Sequence, residues 1–401
     1  MSIPILSSLA VRRFRSFPQD VVKFANPTFL VGQNGSGKSN FVDVFAFLAE
    51  AMAAPLQTVF DRRGGFAAVG NRSSARGRPS NLGLKATLRN LSGEANHGQY
   101  AFELRALKNY GFEVVREQCV ITKVDGSRNW FDREGSAFRS DAESLEPAAE
   151  TNALALPLIG GDVRFRPVLR FLANMQTCRI EPAVLREMQE RDGGARLRAD
   201  GGNTASVLRE IRRESPQGWS RIIELLNSIV PGTIDVKPKR HGNKLTLEFA
   251  QDWQKSEPVR FESFSMSDGT LRALGLLTAV FQTPPPSVLV IEEPEATIHP
   301  GAMGAILDVM RHAGRFMQVV VTTHSPDVLD ADWIADQHLR VVSWERGASR
   351  VTPVSEAVRA AVRDHLIGAG ELLRSNALTS EELFEPRLEQ GQGELFATDL
   401  Q

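Results

Sequence analysis

Hydrophobic and polar positions alternate with different periods along the chain, and these periods predict its elements. Short apolar runs between polar residues predict a β-meander over residues 3–31. Apolar residues three and four positions apart predict a helix over residues 39–51. Its apolar face comprises Phe41, Val44, Phe45 and Leu48. Strands are predicted again over residues 82–88, 100–104, 112–115 and 119–122, and helices between residues 163 and 228.

The second half of the chain also alternates strands with helices. Short strands are predicted around residues 234–237 and 244–249, and an apolar helix over residues 271–280. Two continuous apolar runs, residues 288–291 and 319–321, predict strands at 287–291 and 318–323 that are buried on both faces. Alternation of this kind is typical of an α/β domain, with a mixed β-sheet flanked by helices.

Composition shifts indicate how the domain is divided. A basic stretch rich in glycine and serine, residues 52–81, is predicted as a loop. A polar stretch, residues 125–152, is predicted as the end of a hairpin followed by a mobile loop. Residues 85–260 contain strands, then helices and then strands again, which indicates an insertion into the main domain. The predicted division is 1–84 and 261–354 for the two parts of the main domain, 85–260 for the inserted strand and helical subdomain, and 355–401 for a final helix and acidic tail.

Residues 32–39 (GQNGSGKS) match the phosphate-binding pattern G-x-x-x-x-G-K-[ST] at every fixed position. The glycines let backbone N–H groups point at a phosphate, and the following helix adds the positive end of its dipole. We expect Lys38 to reach the β- and γ-phosphates of ATP and Ser39 to ligate Mg²⁺. A glycine-rich turn without a nucleotide is the alternative. The expected nucleotide contacts are Gly32, Gln33, Asn34, Gly35, Ser36, Gly37, Lys38, Ser39 and Asn40.

Titratable side chains end the two buried strands. Glu292 and Glu293 follow the first strand, at the carboxyl edge where α/β sheets place ligands. We expect Glu292 to bind Mg²⁺ and Glu293 to act as the general base on the attacking water. A charge pair at a helix N-terminus is the alternative for these acids. His324 ends the second strand and is expected to contact the γ-phosphate or the water, unless it is only structural.

Ser267, Asp268 and Gly269 stand immediately before the apolar helix at 271–280. They predict a second helix N-terminus able to bind an anion. One γ-phosphate is not easily bound by both helix ends of one chain, so this pattern favours two chains arranged head to tail. An ordinary N-cap at Ser267 is the alternative.

Composition and charge narrow the class of protein. The formal net charge is −1, which gives no overall basic field for nucleic acid, and the only cysteines, Cys119 and Cys178, suit a reducing compartment. No apolar run approaches the length of a membrane-spanning helix, so we expect a soluble cytoplasmic protein with no membrane partner. Local arginine clusters leave DNA open as a ligand, with a solvated surface as the alternative. These arginines are Arg72, Arg76, Arg78, Arg186, Arg191, Arg196 and Arg198.

Taken together, these residues resemble the ABC-type ATPase superfamily, in its SMC/RecF/OLD-like branch. The resemblance rests on FRSF…FLVGQNGSGKSNFVDVFAFL as N-terminal strand and Walker A, MSDGT as signature motif, VLVIEEPEATIHP as Walker B and D-loop, and VVVTTHSP as switch-histidine loop. Glu292 departs from the aspartate of most relatives, and Asp268 and Thr270 replace the glycine and glutamine of transporter signatures. The short insertion is similar to that of the compact "predicted ATPase" group associated with bacterial defence and mobile-element genes.

The resemblance implies a P-loop NTPase with an ABC-ATPase-like head and an ATP-sandwich dimer. Lys38 and Ser39 of one subunit would face Ser267 and Gly269 of the other. The segment after His324 is too short for the TOPRIM nuclease domain of OLD-type proteins, so the chain is expected to regulate a separate, nuclease-like effector in phage defence or DNA repair and maintenance. An ATP-switched scaffold with little hydrolysis and the ATP-binding subunit of a transporter are the alternatives.

Overall fold

The computed structural model describes residues 3–71, 81–91, 95–108, 111–142, 145, 147, 149–364, 367–375, 377–379, 395–398 and 400. The strands within these residues are β1 (Ile5–Phe14), β2 (Phe17–Lys23), β3 (Thr28–Val31), β4 (Asn81–Arg89), β5 (Ala95–Ala106), β6 (Phe112–Lys123), β7 (Arg128–Glu134), β8 (Ala137–Ser140), β9 (Gln176–Cys178), β10 (Gln189–Glu190), β11 (Thr233–His241), β12 (Lys244–Gln251), β13 (Val259–Glu262), β14 (Val288–Glu292), β15 (Gln318–Thr323), β16 (Leu339–Glu345) and β17 (Ala348–Pro353).

The helices are distributed through the same described ranges, and most are short. They are α1 (Lys38–Ala53), α2 (Leu56–Asp61), α3 (Phe66–Val69), α4 (Ala155–Leu158), α5 (Arg166–Ala173), α6 (Pro182–Arg186), α7 (Thr204–Glu214), α8 (Pro216–Ile229), α9 (Asp268–Phe281), α10 (Pro300–Ala313), α11 (Pro326–Leu329), α12 (Glu356–Arg363) and α13 (Ala369–Arg374).

The chain divides into two compact units. Unit 1 comprises Met1–Met175, Ala335–Leu366 and Asn376–Gln401, and unit 2 comprises Gln176–Ile334 and Ile367–Ser375. Each unit contains both strands and helices, so the expected mixed α/β class is confirmed. The four-part division at residues 84, 260 and 354 stays a prediction.

Unit 1 contains an antiparallel sheet in the order β2-β1-β4-β5-β6-β7-β8. In the same unit, β16 pairs in parallel with β3 and antiparallel with β17. The chain leaves β3 through the phosphate loop and enters α1, as predicted. The apolar face of α1 is buried, and the rings of Phe41 and Phe17 pack edge to face with centroids 5.5 Å apart. Burial of this face fixes the start of the helix, and with it the loop.

Unit 2 contains three parallel strands in the order β15-β14-β9. It also has a small antiparallel sheet, β10-β12-β11, with β13 paired to β12. Both β14 and β15 are apolar throughout their central residues because both faces are covered. In register, Glu292 lies opposite Thr322, so the predicted acids and the predicted histidine leave the sheet at the same edge.

Four sequence predictions were wrong in detail. The β-meander predicted over residues 3–31 forms only as the hairpin of β1 and β2, because β3 pairs with β16 instead. The stretch 52–81 contains α2 and α3, which form because Phe60 packs on Phe112 with ring centroids 4.7 Å apart. The predicted helical stretch 163–228 contains the strand β9, which exists through pairing with β14. The two runs predicted between 112 and 122 form the single strand β6.

Two further predictions fall outside the residues that the structure describes. Arg72, Arg76 and Arg78 lie outside the described residues, and so do residues 380–394 of the acidic tail. The described residues contain no helix long and apolar enough to cross a membrane.

Candidate nucleotide site

The phosphate loop lies in unit 1 and depends on glycine at three positions. Gly35 and Gly37 have φ of +81° and +108°, a backbone region that side-chain-bearing residues rarely adopt. A Cβ on Gly37 would lie 2.1 Å from Oγ of Ser349, and a Cβ on Gly32 would lie 2.3 Å from the carbonyl oxygen of Val342. The loop can therefore curl only because these positions lack side chains.

The loop is folded around the ammonium of Lys38. Its Nζ donates hydrogen bonds to the carbonyl oxygens of Gly32 (2.6 Å) and Gln33 (3.0 Å), and the residue is 5% exposed. Oγ of Ser36 is buried with no hydrogen-bond partner among the described residues. Ser39 is exposed at the first turn of α1. A buried cation, an unsatisfied hydroxyl and a helix N-terminus together fit the phosphates of a nucleotide.

Two serines stabilise the loop through hydrogen bonds, and neither was predicted as a site residue. Oγ of Ser349, which is fully buried, lies 2.7 Å from Oγ of Ser16 and 2.8 Å from the carbonyl oxygen of Ser36. Nδ2 of Asn40 donates to Oγ of Ser16 at 2.9 Å. The Asn40 side chain thus helps to hold the loop, and its contact with nucleotide stays a prediction.

In unit 2, β14 ends in the two predicted acids. Glu293 has φ of +44°, and this strained backbone is held from both sides. Its N–H donates to the carbonyl oxygen of Thr322 (3.0 Å), and its carbonyl accepts from Nη2 of Arg272 (3.0 Å). The next helix, α10, begins only at Pro300, so the acids do not form a helix N-terminal charge pair.

The structure brings the predicted histidine to these acids. Nδ1 of His324 lies 3.4 Å from Oε1 of Glu293 and 3.6 Å from Oε1 of Glu295. The side chains of His324 and Glu293 are 43% and 39% exposed, whereas that of Glu295 is 9% exposed. The exposed pair can meet a substrate, and the buried carboxylate cannot. Glu295 was not predicted as a site residue, although it belongs to the run EEPE.

The signature residues form the start of α9. Oγ of Ser267 accepts a hydrogen bond from the N–H of Thr270 (3.2 Å), so the N-cap alternative describes its local role. Asp268 pairs with Arg186 at 2.5 Å. Gly269 lies so close to the segment after the acids that a Cβ there would meet the carbonyl oxygen of Thr297 at 2.7 Å. Ser267 and Asp268 at the start of α9 are exposed and Gly269 is half-buried, while residues 270–280 are buried.

Burial sets the electrostatics around this second group. Burial lowers the pKa of Arg272, against the opposing effect of carboxylates that include Glu293 and Glu295. Burial raises the pKa of Cys178 to about 12, so this thiol is protonated at neutral pH and is no nucleophile. Two arginines predicted as candidate DNA contacts have protein partners: Arg186 pairs with Asp268, and Arg198 lies 3.6 Å from Asp192.

In unit 1 the chain passes from a strand through a phosphate loop, which is closed on its lysine, into a helix. In unit 2 a parallel strand ends in two acidic residues. These features define a P-loop NTPase fold. The chain belongs to the family described as "AAA domain, putative AbiEii toxin, Type IV TA system", whose family model matches residues 28–330.

Solved structures give the same fold. The chain is similar to an SMC head bound to the C-terminal winged-helix domain of ScpA, with a TM-score of 0.55 and 13% identity over 88% of this chain and 99% of that one. It is also similar to a Pyrococcus furiosus SMC head with an extended coiled coil, bound to the C-terminal domain of ScpA. There the TM-score is 0.54 and the identity 12%, over 91% of this chain and 100% of that one. A comparison with curated proteins gave no match. The resemblance to ABC-type ATPases of the SMC/RecF-like branch is confirmed at the level of fold.

Proposed function

We propose that this protein binds ATP with Mg²⁺ and hydrolyses it in a head-to-tail dimer. The observation that carries the proposal is the buried ammonium of Lys38, held by the carbonyl oxygens of Gly32 and Gln33 inside the loop. A cation in this position can turn to phosphate oxygens without leaving the loop. The unsatisfied hydroxyl of Ser36 supports the same reading, because a phosphate oxygen would complete its hydrogen bonding.

Each site residue has a distinct part in the proposed reaction. Ser39 and Glu292 are each proposed as ligands of Mg²⁺, which would supply positive charge to the phosphate oxygens. Glu293 accepts a proton from the attacking water, since it is the exposed carboxylate at the end of β14. His324 lies beside it and contacts the γ-phosphate or the water. Lys38 offsets the negative charge that develops on the leaving phosphate oxygens.

The dimer places the α9 N-terminus of one subunit on the nucleotide of the other. Ser267 and Asp268 are exposed, whereas residues 270–280 of α9 are buried. An anion can therefore approach α9 only at its N-terminus, which supports this arrangement. The solved heads of similar fold are bound to domains of ScpA, a separate protein. By analogy, ATP-driven closure of this dimer regulates a separate effector of nuclease type, in phage defence or DNA repair and maintenance, in the cytoplasm.

The first test compares the wild type with Glu293→Gln. The variant keeps the size and a hydrogen-bonding oxygen of the side chain but lacks the base, so we expect turnover to fall at least about 100-fold with ATP still bound. Light scattering should then show an ATP-dependent dimer that is long-lived in the variant. Turnover that is unchanged by Glu293→Gln would refute its role as base.

DNA and the trans arrangement are tested with the same proteins. Stimulation of turnover by double-stranded DNA would make DNA a ligand, and no stimulation would direct the search to a protein partner. Ser267→Arg should abolish turnover while the isolated chain still binds ATP, with Ser267→Ala as the smaller control. Loss of ATP binding in the isolated chain would contradict a role in trans. ATP-dependent dimers without turnover in the wild type would favour the scaffold alternative.

A further inference from the structure

Glu295, the last carboxylate of the EEPE run, is shielded from solvent, with a side-chain exposure of 9%. Its Oε1 accepts hydrogen bonds from Oγ1 of Thr323 (2.7 Å) and from the backbone N–H of His324 (3.2 Å). A charge-assisted bond to a main-chain N–H fixes the position of the chain at that residue. Glu295 therefore holds the backbone from which the switch histidine projects.

The second oxygen of this carboxylate has no partner. Oε2 of Glu295 is buried and makes no hydrogen bond with any described residue. A buried, unsatisfied carboxylate oxygen costs free energy, and such atoms call for an explanation in function. The ring of His324 is beside it, since Nδ1 lies 3.6 Å from the other oxygen of the same carboxylate.

From this geometry we propose that Glu295 is a positioning residue for His324 in the reaction proposed above, on which the inference rests. The carboxylates that face Nδ1 can only accept hydrogen bonds, so Nδ1 is the ring nitrogen that carries the proton. Nε2 is then the ring atom presented to the nucleotide or the attacking water. Glu295 thereby decides both the orientation and the tautomer of the imidazole.

The two carboxylates at Nδ1 divide the work. Glu293 is 39% exposed and lies 3.4 Å from Nδ1, so it is free to take a proton from water. A base that must move toward water is a poor anchor for a neighbouring ring. Glu295 is buried and accepts a hydrogen bond from Thr323, so it can hold the His324 ring in place. Glu293 can then act as the base. The arrangement has the logic of an acid that orients a catalytic histidine without itself being protonated.

The test is a double-mutant cycle on the full-length protein with kcat and KM for MgATP as readouts. Removal of an orienting acid should lower kcat about 10- to 100-fold with Glu295→Ala, while KM changes less than about threefold. Glu295→Gln retains an oxygen for Thr323 and His324, so it should recover most of the loss. If Glu295 acts through His324, adding Glu295→Ala to His324→Ala should lower kcat no more than about twofold further.

Multiplicative losses in that cycle would overturn the proposal, as would an unchanged kcat in Glu295→Ala. The matched surface control is Glu224→Ala, on the exposed side of α8 in the same unit. If Glu295→Ala does not fold, Thr323→Val keeps the carboxylate and removes the hydroxyl that donates to it and that accepts from the N–H of Ser325. It should still lower kcat in the wild-type background and not in the His324→Ala background, and an equal loss in both backgrounds would also overturn the proposal.

A second readout is independent of turnover. In protein labelled with ¹⁵N-histidine, the His324 ring, identified by its loss in His324→Ala, should show a proton on Nδ1 in the wild type. Glu295→Ala should shift the ring toward the Nε2–H tautomer, and an unchanged ring pattern would contradict the proposal. A wild type without ATP turnover but with this shift would refute the proposed function alone.

Discussion

Replacing Gly37 by alanine should damage the phosphate loop through a single identifiable contact. At φ of +108° any side chain is strained, which costs about 1–2 kcal/mol. The added Cβ would also meet Oγ and Cβ of Ser349 at 2.1 and 2.9 Å. Ser349 is fully buried and donates a hydrogen bond to the carbonyl oxygen of Ser36, so it cannot move away freely. Such overpacking costs a further 1–3 kcal/mol, roughly.

Gly35→Ala is the matched control for the strain. Gly35 has φ of +81°, but a Cβ there would meet no atom within 4 Å. The difference between the two variants therefore isolates the clash. In thermal unfolding of the full chain, we expect Gly37→Ala to melt roughly 3–10 °C below Gly35→Ala, given about 2–4 °C per kcal/mol for a unit of this size.

The double variant Gly37→Ala with Ser349→Gly completes the design. Removing the Ser349 side chain should relieve the clash and leave only the backbone strain at position 37. The effects of the two changes on the melting temperature should therefore be less than additive. ATP affinity should follow the same order, since the loop must keep its curl to bind phosphate. Equal melting temperatures for the Gly35 and Gly37 variants, or strict additivity in the double variant, would refute the reasoning.

Two other predictions concern buried charges. Burial raises the pKa of Asp20 to about 6, against hydrogen bonds from the N–H groups of Val351 and Val21. A folded pKa above the unfolded value of 3.8 means that the folded state loses stability as pH rises from about 4 to 6. Asp20→Asn should therefore gain up to about 3 kcal/mol relative to wild type over that range, and melting curves that stay parallel from pH 4 to 8 would contradict this. Arg272→Met should change the melting temperature little, because burying the guanidinium is itself costly. The variant should nevertheless lower kcat about 10-fold or more, because the Glu293 carbonyl loses its hydrogen bond from Arg272. Unchanged turnover would show that this hydrogen bond is dispensable.

The sequence alone determined the features that are local in the chain. The phosphate loop is contiguous, so its glycines, Lys38 and the apolar face of α1 could be read from spacing. The two apolar strands β14 and β15 were predicted from continuous runs, which short buried strands require. Because parallel strands end at one edge of a sheet, the proximity of Glu293 and His324 followed from the same pattern.

Tertiary structure decided what depends on distant residues. Ser349 braces the carbonyl of Ser36 from more than 300 positions away, and no local pattern marks such a serine. The strand β9 is too short to be predicted and forms only through its partner β14. The burial of Glu295 and the exposure of Glu293, two residues apart, arise from the turn that follows β14, where Glu293 takes a positive φ. Sequence specified which chemical groups are present, whereas packing decided which of them face solvent, because burial depends on the whole fold.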